Sequence, residues 1–301
     1  MTSLYQNSGK LHLRAESFTL YLAQPPMKIL TSFARVLPRT HPVFLSTFPA
    51  LSMAQQQPAK TDVPWSVRKY TPRHTSWPYS LHDFARHDET NDVNFYKTSR
   101  FVTHIDDEAI ARLRRYYEQV LPRSGCILDF CSSWISHYPI DIEGRIRDGN
   151  LEVIGLGMNQ TELDDNPVLI TEHSRIVADL NVSPDVAAAV GKRKFDAATC
   201  AVSIDYLTQP NLVLSSLKGC MKNDGDSVHL VISNRCFPTK AIKRWLQVGE
   251  EERLQMVGDY LHFAGWKDIE IVDLKVEREA GKHTDPLWVV RGRKGIKAKY
   301  S

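Results

Sequence analysis

The chain has 301 residues, 42% of them apolar and 24% charged, a composition typical of a globular protein and long enough for one large domain. The formal charge is +3 and is unevenly placed: up to Gln57, five basic residues (Lys10, Arg14, Lys28, Arg35, Arg39) stand against one acid, Glu16. Without that segment acids and bases balance to within one charge, which leaves no electrostatic case for a nucleic-acid partner.

Residues 1–57 are rich in Ser, Thr, Leu and Phe, poor in acids and broken by Pro25, Pro26, Pro38, Pro42 and Pro49. This is the pattern of a transit peptide for a plastid or mitochondrion. A disordered tail, or an upstream extension before Met27, is the alternative, with a cytoplasmic protein as its consequence. No apolar run approaches the ~20 residues of a membrane helix, so no membrane span is expected. Residues 58–100 carry Trp65, Tyr70, Trp77, Tyr79, Phe84, Phe95 and Tyr96 with little periodicity. Aromatics at that density favour burial, so the segment reads as an extended arm laid on the main domain, 101–301, and as a possible lid.

Asp106–Leu121 reads as a helix, capped by Asp106 or Asp107, with Ile110, Leu113, Tyr117 and Val120 on one face and Pro122 and Gly125 beyond its end. Apolar runs follow at Cys126–Phe130, Leu151–Asn159, Arg175–Asn181 and Lys194–Leu207, each closing on Asp, Gly, Ser or Asn. Such runs are buried parallel strands whose carboxyl ends line one sheet edge, the edge where α/β sheets bind ligands. A short helix is expected over 133–138, cut by Pro139, and a helix start at Asn159, with Asn159 as cap and Glu162 in the box position. Leu212–Met221 reads as a helix and Ser227–Ser233 as the fifth strand. Helices Lys240–Leu246 and Glu250–Phe263, then strands Lys267–Leu274 and Pro286–Arg293, complete the chain. The last two strands have no helix pattern between them, so the final one is expected to be antiparallel in a doubly wound, Rossmann-like, mostly parallel sheet. Cys126, Cys131, Cys200, Cys220 and Cys236 form no CxxC pair and suit free thiols. No metal site, hydrolase motif or P-loop is read from the sequence.

The order of these strand ends resembles that of class I S-adenosylmethionine-dependent methyltransferases of the type 11 kind, over about the last two thirds of the chain. The resemblance implies the fold, S-adenosylmethionine as cofactor, and methyl transfer to a small molecule. A non-catalytic methyltransferase-like binding or assembly protein is the alternative, and a nicotinamide enzyme is disfavoured by the lack of GxGxxG. In the family an acid closes the first strand before a glycine-rich turn; Asp129 matches the acid, while Cys131, Ser133 and Ile135 stand at the glycine positions. Ser132 and Ser133 are then the expected contacts to the methionine carboxylate. The ribose-gripping acid of the second strand is replaced by Gly157, leaving Asn159 for the hydroxyls and Gly155 and Gly157 for close approach of the adenosine. By the same resemblance Asp179 and Leu180 face the adenine, and Ala201, Val202 and Ser203 the methionine end. Asp205, Tyr206 and His104 are candidates for chemistry, with His137 also available. The loop after the fifth strand, with Asn234, Arg235 and Lys240, reads as a substrate wall able to pair with an anion. Neither the methyl acceptor nor the oligomeric state follows from these residues.

Overall fold

The structure is a computed structural model and describes residues 65–274 and 284–295. The leader, 1–57, and residues 58–64 of the arm lie outside the described residues. The strands are β1 (Ser66–Lys69), β2 (Gly125–Ser132), β3 (Leu151–Gly157), β4 (Arg175–Val177), β5 (Ala197–Ala201), β6 (Ser227–Ser233), β7 (Lys267–Asp273) and β8 (Leu287–Arg293). The helices are α1 (Asp92–Tyr96), α2 (Asp107–Val120), α3 (Ile140–Arg147), α4 (Gln160–Asp165), α5 (Val186–Val190), α6 (Pro210–Cys220), α7 (Lys243–Gln247) and α8 (Glu250–Phe263).

All eight strands form one sheet in the order β1-β7-β8-β6-β5-β2-β3-β4. Strands β2 to β6 run parallel, and β8 inserts antiparallel between β6 and β7. The sheet is apolar on both faces because alternate residues of each strand bury on opposite sides. Ile127, Val153, Ala197, Val231, Val272 and Val289 join one core cluster with α2 and α3. Leu128, Ile154, Ala198, Leu230, Ile271 and Val290 join the other with α6, α8 and the arm. Helix α2 forms as its pattern implies: Asp106 Oδ1 accepts from Ala109 N at 2.7 Å, and Ile110, Leu113 and Tyr117 are buried, with Val120 half-buried.

Three local expectations are corrected. Residues 133–138 form no helix, because β2 continues to Ser132 and the serine hydroxyls beyond it turn to a buried carboxylate instead of capping amides. Pro139 does not end a helix but occupies the N-cap of α3, a helix that the sequence reading omitted, with Asp141 and Glu143 in its first turn and Arg145 and Arg147 in its last. The helix expected from Lys240 starts at Lys243, with Ile242 as N-cap, because Lys240 is drawn into the interior.

The described part of the arm is built into the body. Ser66–Lys69 pairs antiparallel with β7 and extends the sheet by one strand. Beyond it Trp77, Tyr79 and Phe84 pack on Tyr260 of α8 through edge-on and tilted rings, and Tyr70, in the same core cluster, has its ring 6.1 Å from that of His262. Asp259, fully buried, accepts hydrogen bonds from the hydroxyls of both Tyr70 and Tyr79 and lies 3.3 Å from Arg73 Nη2. Gly258 leaves room for the Tyr70 ring: a Cβ there would stand 2.3 Å from the ring carbon Cδ2. Gly258→Ala is therefore expected to displace Tyr70 and destabilise the fold by about 1–3 kcal/mol, as overpacked cores do. Urea unfolding monitored by tryptophan fluorescence measures this.

Candidate active site

The carboxyl ends of β2, β3, β4 and β5 meet at a cavity of about 250 Å³. Asp129, Ser132 and Ser133 line it from β2 and its loop, Gly157 from β3, and Asp179 and Leu180 from the loop after β4. Ala201, Val202 and Ser203 line it after β5, and His104, His137, Tyr206 and Arg235 also reach it.

Asp129 organises the floor. Its carboxylate is buried and accepts from Ser132 Oγ and Ser136 Oγ, both at 2.7 Å, and from Thr199 Oγ1 at 2.9 Å. Burial raises its pKa, and these three donors oppose the rise. Thr199 is itself 2.7 Å from Tyr138 Oη, and Asn166 Nδ2 donates to Ser136 Oγ and to the Ser133 carbonyl. The loop is thus held by the hydroxyls of Ser132 and Ser136, which flank the positions where the resemblance implies glycines. Cys131 nevertheless adopts φ 54°, the left-handed conformation that glycine takes most readily. His104 (65°), His137 (57°) and Val202 (43°) are also left-handed and also line the cavity.

At the end of β4, Asp179 Oδ1 accepts from the amides of Asn181 and Val182, an Asx turn, and Oδ2 has no partner among the described residues. Asn181 ties this loop to the arm: its Nδ2 donates to Asp92 Oδ2 at 2.8 Å and to the Tyr206 carbonyl at 2.9 Å. Asp92 also accepts from Arg86 Nη1 through both oxygens, at 2.8 and 2.7 Å, and lies 3.1 Å from Lys240 Nζ.

Several predicted residues stand away from the cavity wall. Gly155 faces Leu169, whose Cδ1 lies 2.4 Å from where a Cβ would be, so the glycine serves packing. Asn159 has its amide committed, with Oδ1 accepting from Glu162 N at 3.1 Å and Nδ2 donating to the Tyr96 carbonyl at 2.7 Å. Glu162 does not complete a capping box, because its Oε1 accepts from Arg100 N at 2.7 Å. Lys240 is wholly buried between Asp88 and Asp92 and donates to the Asp88 and Thr90 carbonyls. Asn234 is not among the lining residues, and Asp205 is buried behind Tyr206.

Phe237 lines the cavity with Arg235, as expected of the loop after the fifth strand, and the cavity also takes residues not expected there: Asp92, Tyr96 and Arg100 from the arm and its end, and Glu162 from α4. Phe237 is packed by Phe95, His104 and Tyr206, and its amide donates to Tyr206 Oη at 2.8 Å. The aromatic density of the arm was the available signal for Tyr96. Burial, then the charge of Arg100, lower the His104 pKa, while burial with Arg114 brings His137 down to about 4. Both shifts favour the neutral imidazole. Among the described residues no group of three or more His, Cys, Asp or Glu side chains is arranged to hold a metal ion, and no helix is long and apolar enough to cross a membrane.

No protein-family model and no curated protein matches the chain. Solved structures do. A methyltransferase from Bacillus halodurans is 12% identical, aligns with 63% of this chain and 100% of its own, and gives a TM-score of 0.39. Haemonchus contortus phosphoethanolamine N-methyltransferase 2 in complex with S-adenosyl-L-methionine is 12% identical, over 63% of this chain and 52% of its own, at 0.39. The [4+2]-cyclase SpnF is 14% identical, over 62% and 82%, at 0.42. At these identities and TM-scores the likeness carries no argument about what this chain does. Independently of it, five parallel strands with an antiparallel strand inserted beside the last of them give the chain the class I methyltransferase fold.

Burial pushes the Asp205 carboxyl up to about 8, and its Oδ2 has no hydrogen-bond partner among the described residues. An acid whose folded pKa lies above its unfolded value of about 3.9 binds more protons when folded, so stability falls as pH rises between those values. Asp205→Asn keeps the shape and removes the titration. The variant is expected to show a flatter dependence of its urea midpoint on pH between about 4 and 8, and a higher midpoint than the natural chain at pH 8.

Proposed function

We propose that the protein binds S-adenosylmethionine in this cavity and transfers its methyl group to a small molecule. The observation that carries the reading is the convergence of Asp129, Gly157, Asp179 and Ser203, four strand ends in family order, on one cavity. The residues present fit the cofactor. Cys131 keeps the left-handed backbone that the missing glycine would have supplied. The Asp179 Oδ2 is available for an adenine amino group, beside the Leu180 amide. Asn159 is committed elsewhere, so Glu162 is the carboxylate left for the ribose hydroxyls. Ala201, Val202 and Ser203 present small surfaces to the methionine end.

When bound, the cofactor supplies a methyl group on a sulfonium. The chain's task is then to align the acceptor with that methyl and to exclude water, which is enough for most of the acceleration of an in-line displacement. Tyr96, Tyr206 and Phe237 form the wall against which an acceptor packs. His104 favours its neutral form, lines the cavity and is the side chain best placed to accept a proton from a protic acceptor. Tyr206 uses its hydroxyl oxygen to fix the Phe237 amide. Asp205 acts behind the wall, not at the reacting atoms.

Calorimetric titration of the purified chain with S-adenosylmethionine and S-adenosylhomocysteine tests the reading. Saturable binding of both is expected, with Ala201→Asp abolishing it and Asp179→Ala weakening it by about 1–3 kcal/mol. Absence of binding by the natural chain would turn the assignment toward a non-catalytic assembly protein.

The leader, 1–57, we assign to organelle targeting, on its five bases against one acid and its proline-broken, serine-rich sequence. A fluorescent reporter fused behind it is expected in plastids or mitochondria. A diffuse cytosolic signal with the leader intact removes the assignment.

A further inference from the structure

The charges around the cavity are matched unevenly. Asp129 is satisfied by three hydroxyls, Asp92 by Arg86 and Lys240, and Asp179 turns one oxygen to its own loop. At the Phe237 end the position is reversed, with two guanidinium groups that keep nitrogens unused. Arg100 lies over the Phe95 ring at 4.1 Å and 5.5 Å from the Phe237 centroid. Its Nη1 donates to the Phe95 and Thr98 carbonyls, and it has no ion pair among the described residues. The nearby Glu162 takes the Arg100 amide through Oε1, and burial raises the pKa of that carboxyl.

Arg235 stands two residues before Phe237 with 60% of its side chain exposed. Its Nε donates to Asp285 Oδ1 at 2.8 Å, and both terminal nitrogens are without partners among the described residues. Asp285 is buried and fixed in turn, since its Oδ2 accepts from Asp106 N at 3.0 Å. A guanidinium clamped at Nε by a rigid carboxylate presents its two terminal nitrogens as a pre-set fork. That fork matches the spacing of two oxygens on one carboxylate or phosphate.

Resting on the methyl-transfer reading above, we propose that the methyl acceptor carries an anionic oxygen group, a carboxylate or a phosphate, gripped by the terminal nitrogens of Arg235 with Arg100 as a second cation across Phe237. The acceptor's remaining body packs on Phe237 and Tyr206. Asp285 is a positioning residue that aims the fork.

The test is titration of the full chain, saturated with S-adenosylhomocysteine, with benzoate, phenyl phosphate and uncharged benzyl alcohol. At least one of the two anions is expected to bind about tenfold or more tightly than the alcohol, and whichever binds names the group. Arg235→Gln is expected to remove that preference, Arg235→Lys to retain part of it, and Arg147→Gln, on the exposed end of α3, to leave it intact. The proposal is overturned if neither anion binds better than the alcohol, or if the preference survives in Arg235→Gln. It is also overturned if Arg235→Gln weakens S-adenosylhomocysteine instead of the anions, because the arginine then serves the cofactor's own carboxylate. If the natural chain takes up no S-adenosylhomocysteine, the cofactor reading fails by itself, and the same three probes on the ligand-free chain still decide for or against Arg235.

Discussion

The cavity depends on one buried carboxylate. Asp129 sits within β2, near its carboxyl end, with only 4% of its surface exposed. Burying an ionised carboxylate costs several kcal/mol unless hydrogen bonds replace its water. Three hydroxyl donors do so here, and each has a structural effect. Thr199 ties β2 to its neighbour β5, while Ser132 and Ser136 bend the following loop back over the strand end. Asn166, through Ser136 Oγ, carries the same network to the segment beyond α4. A glycine-rich loop obtains its path from backbone freedom. This loop obtains a comparable path from polar side chains gathered around a single acid, and is more rigid for it.

Backbone strain gathers around the same cavity. Five described non-glycine residues have positive φ, and four of them, His104, Cys131, His137 and Val202, line the cavity. Each such residue carries a penalty on the order of 1–3 kcal/mol and persists only where its surroundings over-determine it. Val202 is the most demanding, being β-branched, and its amide is held by the Val231 carbonyl at 3.0 Å. Concentration of strain at one sheet edge is typical of positions selected for the direction of a side chain, not for stability.

Much of the fold was legible because the central strands are buried on both faces and therefore read as continuous apolar runs. Helix α2 was legible from its acid cap, and the antiparallel last strand from the lack of a helix before it. What was not legible depended on partners distant in sequence. Lys240 follows a strand at the ligand edge and looks like a substrate cation, but its partners Asp88 and Asp92 lie some 150 residues earlier and draw it inside. The serines after Asp129 look like helix caps until the buried carboxylate competes for their hydroxyls. Ser66–Lys69 is exposed at every position and shows no alternation, so only pairing with β7 makes it a strand. Among the site residues, strand-end positions were legible from order alone. Asn159 and Gly155 were misplaced from the wall because capping and packing had already claimed them, and Glu162 was hidden by its resemblance to a capping residue.

The arm precedes the other described elements, and its partners come late in the chain. Tyr70 and Tyr79 need Asp259, 189 and 180 residues later, and Asp92 needs Asn181, 89 residues later, as well as Lys240. Contacts so far apart close late, after the entropy of the intervening loops has been overcome. On a ribosome the aromatic segment therefore emerges well before α8 exists to cover it, and must remain unpaired through most of synthesis. Asp92, which lines the cavity from the arm, is held by Asn181 and Lys240, so that side of the cavity depends on residues much later in the chain. A truncated or stalled product is expected to expose a run of tryptophan and tyrosine, which chaperones recognise.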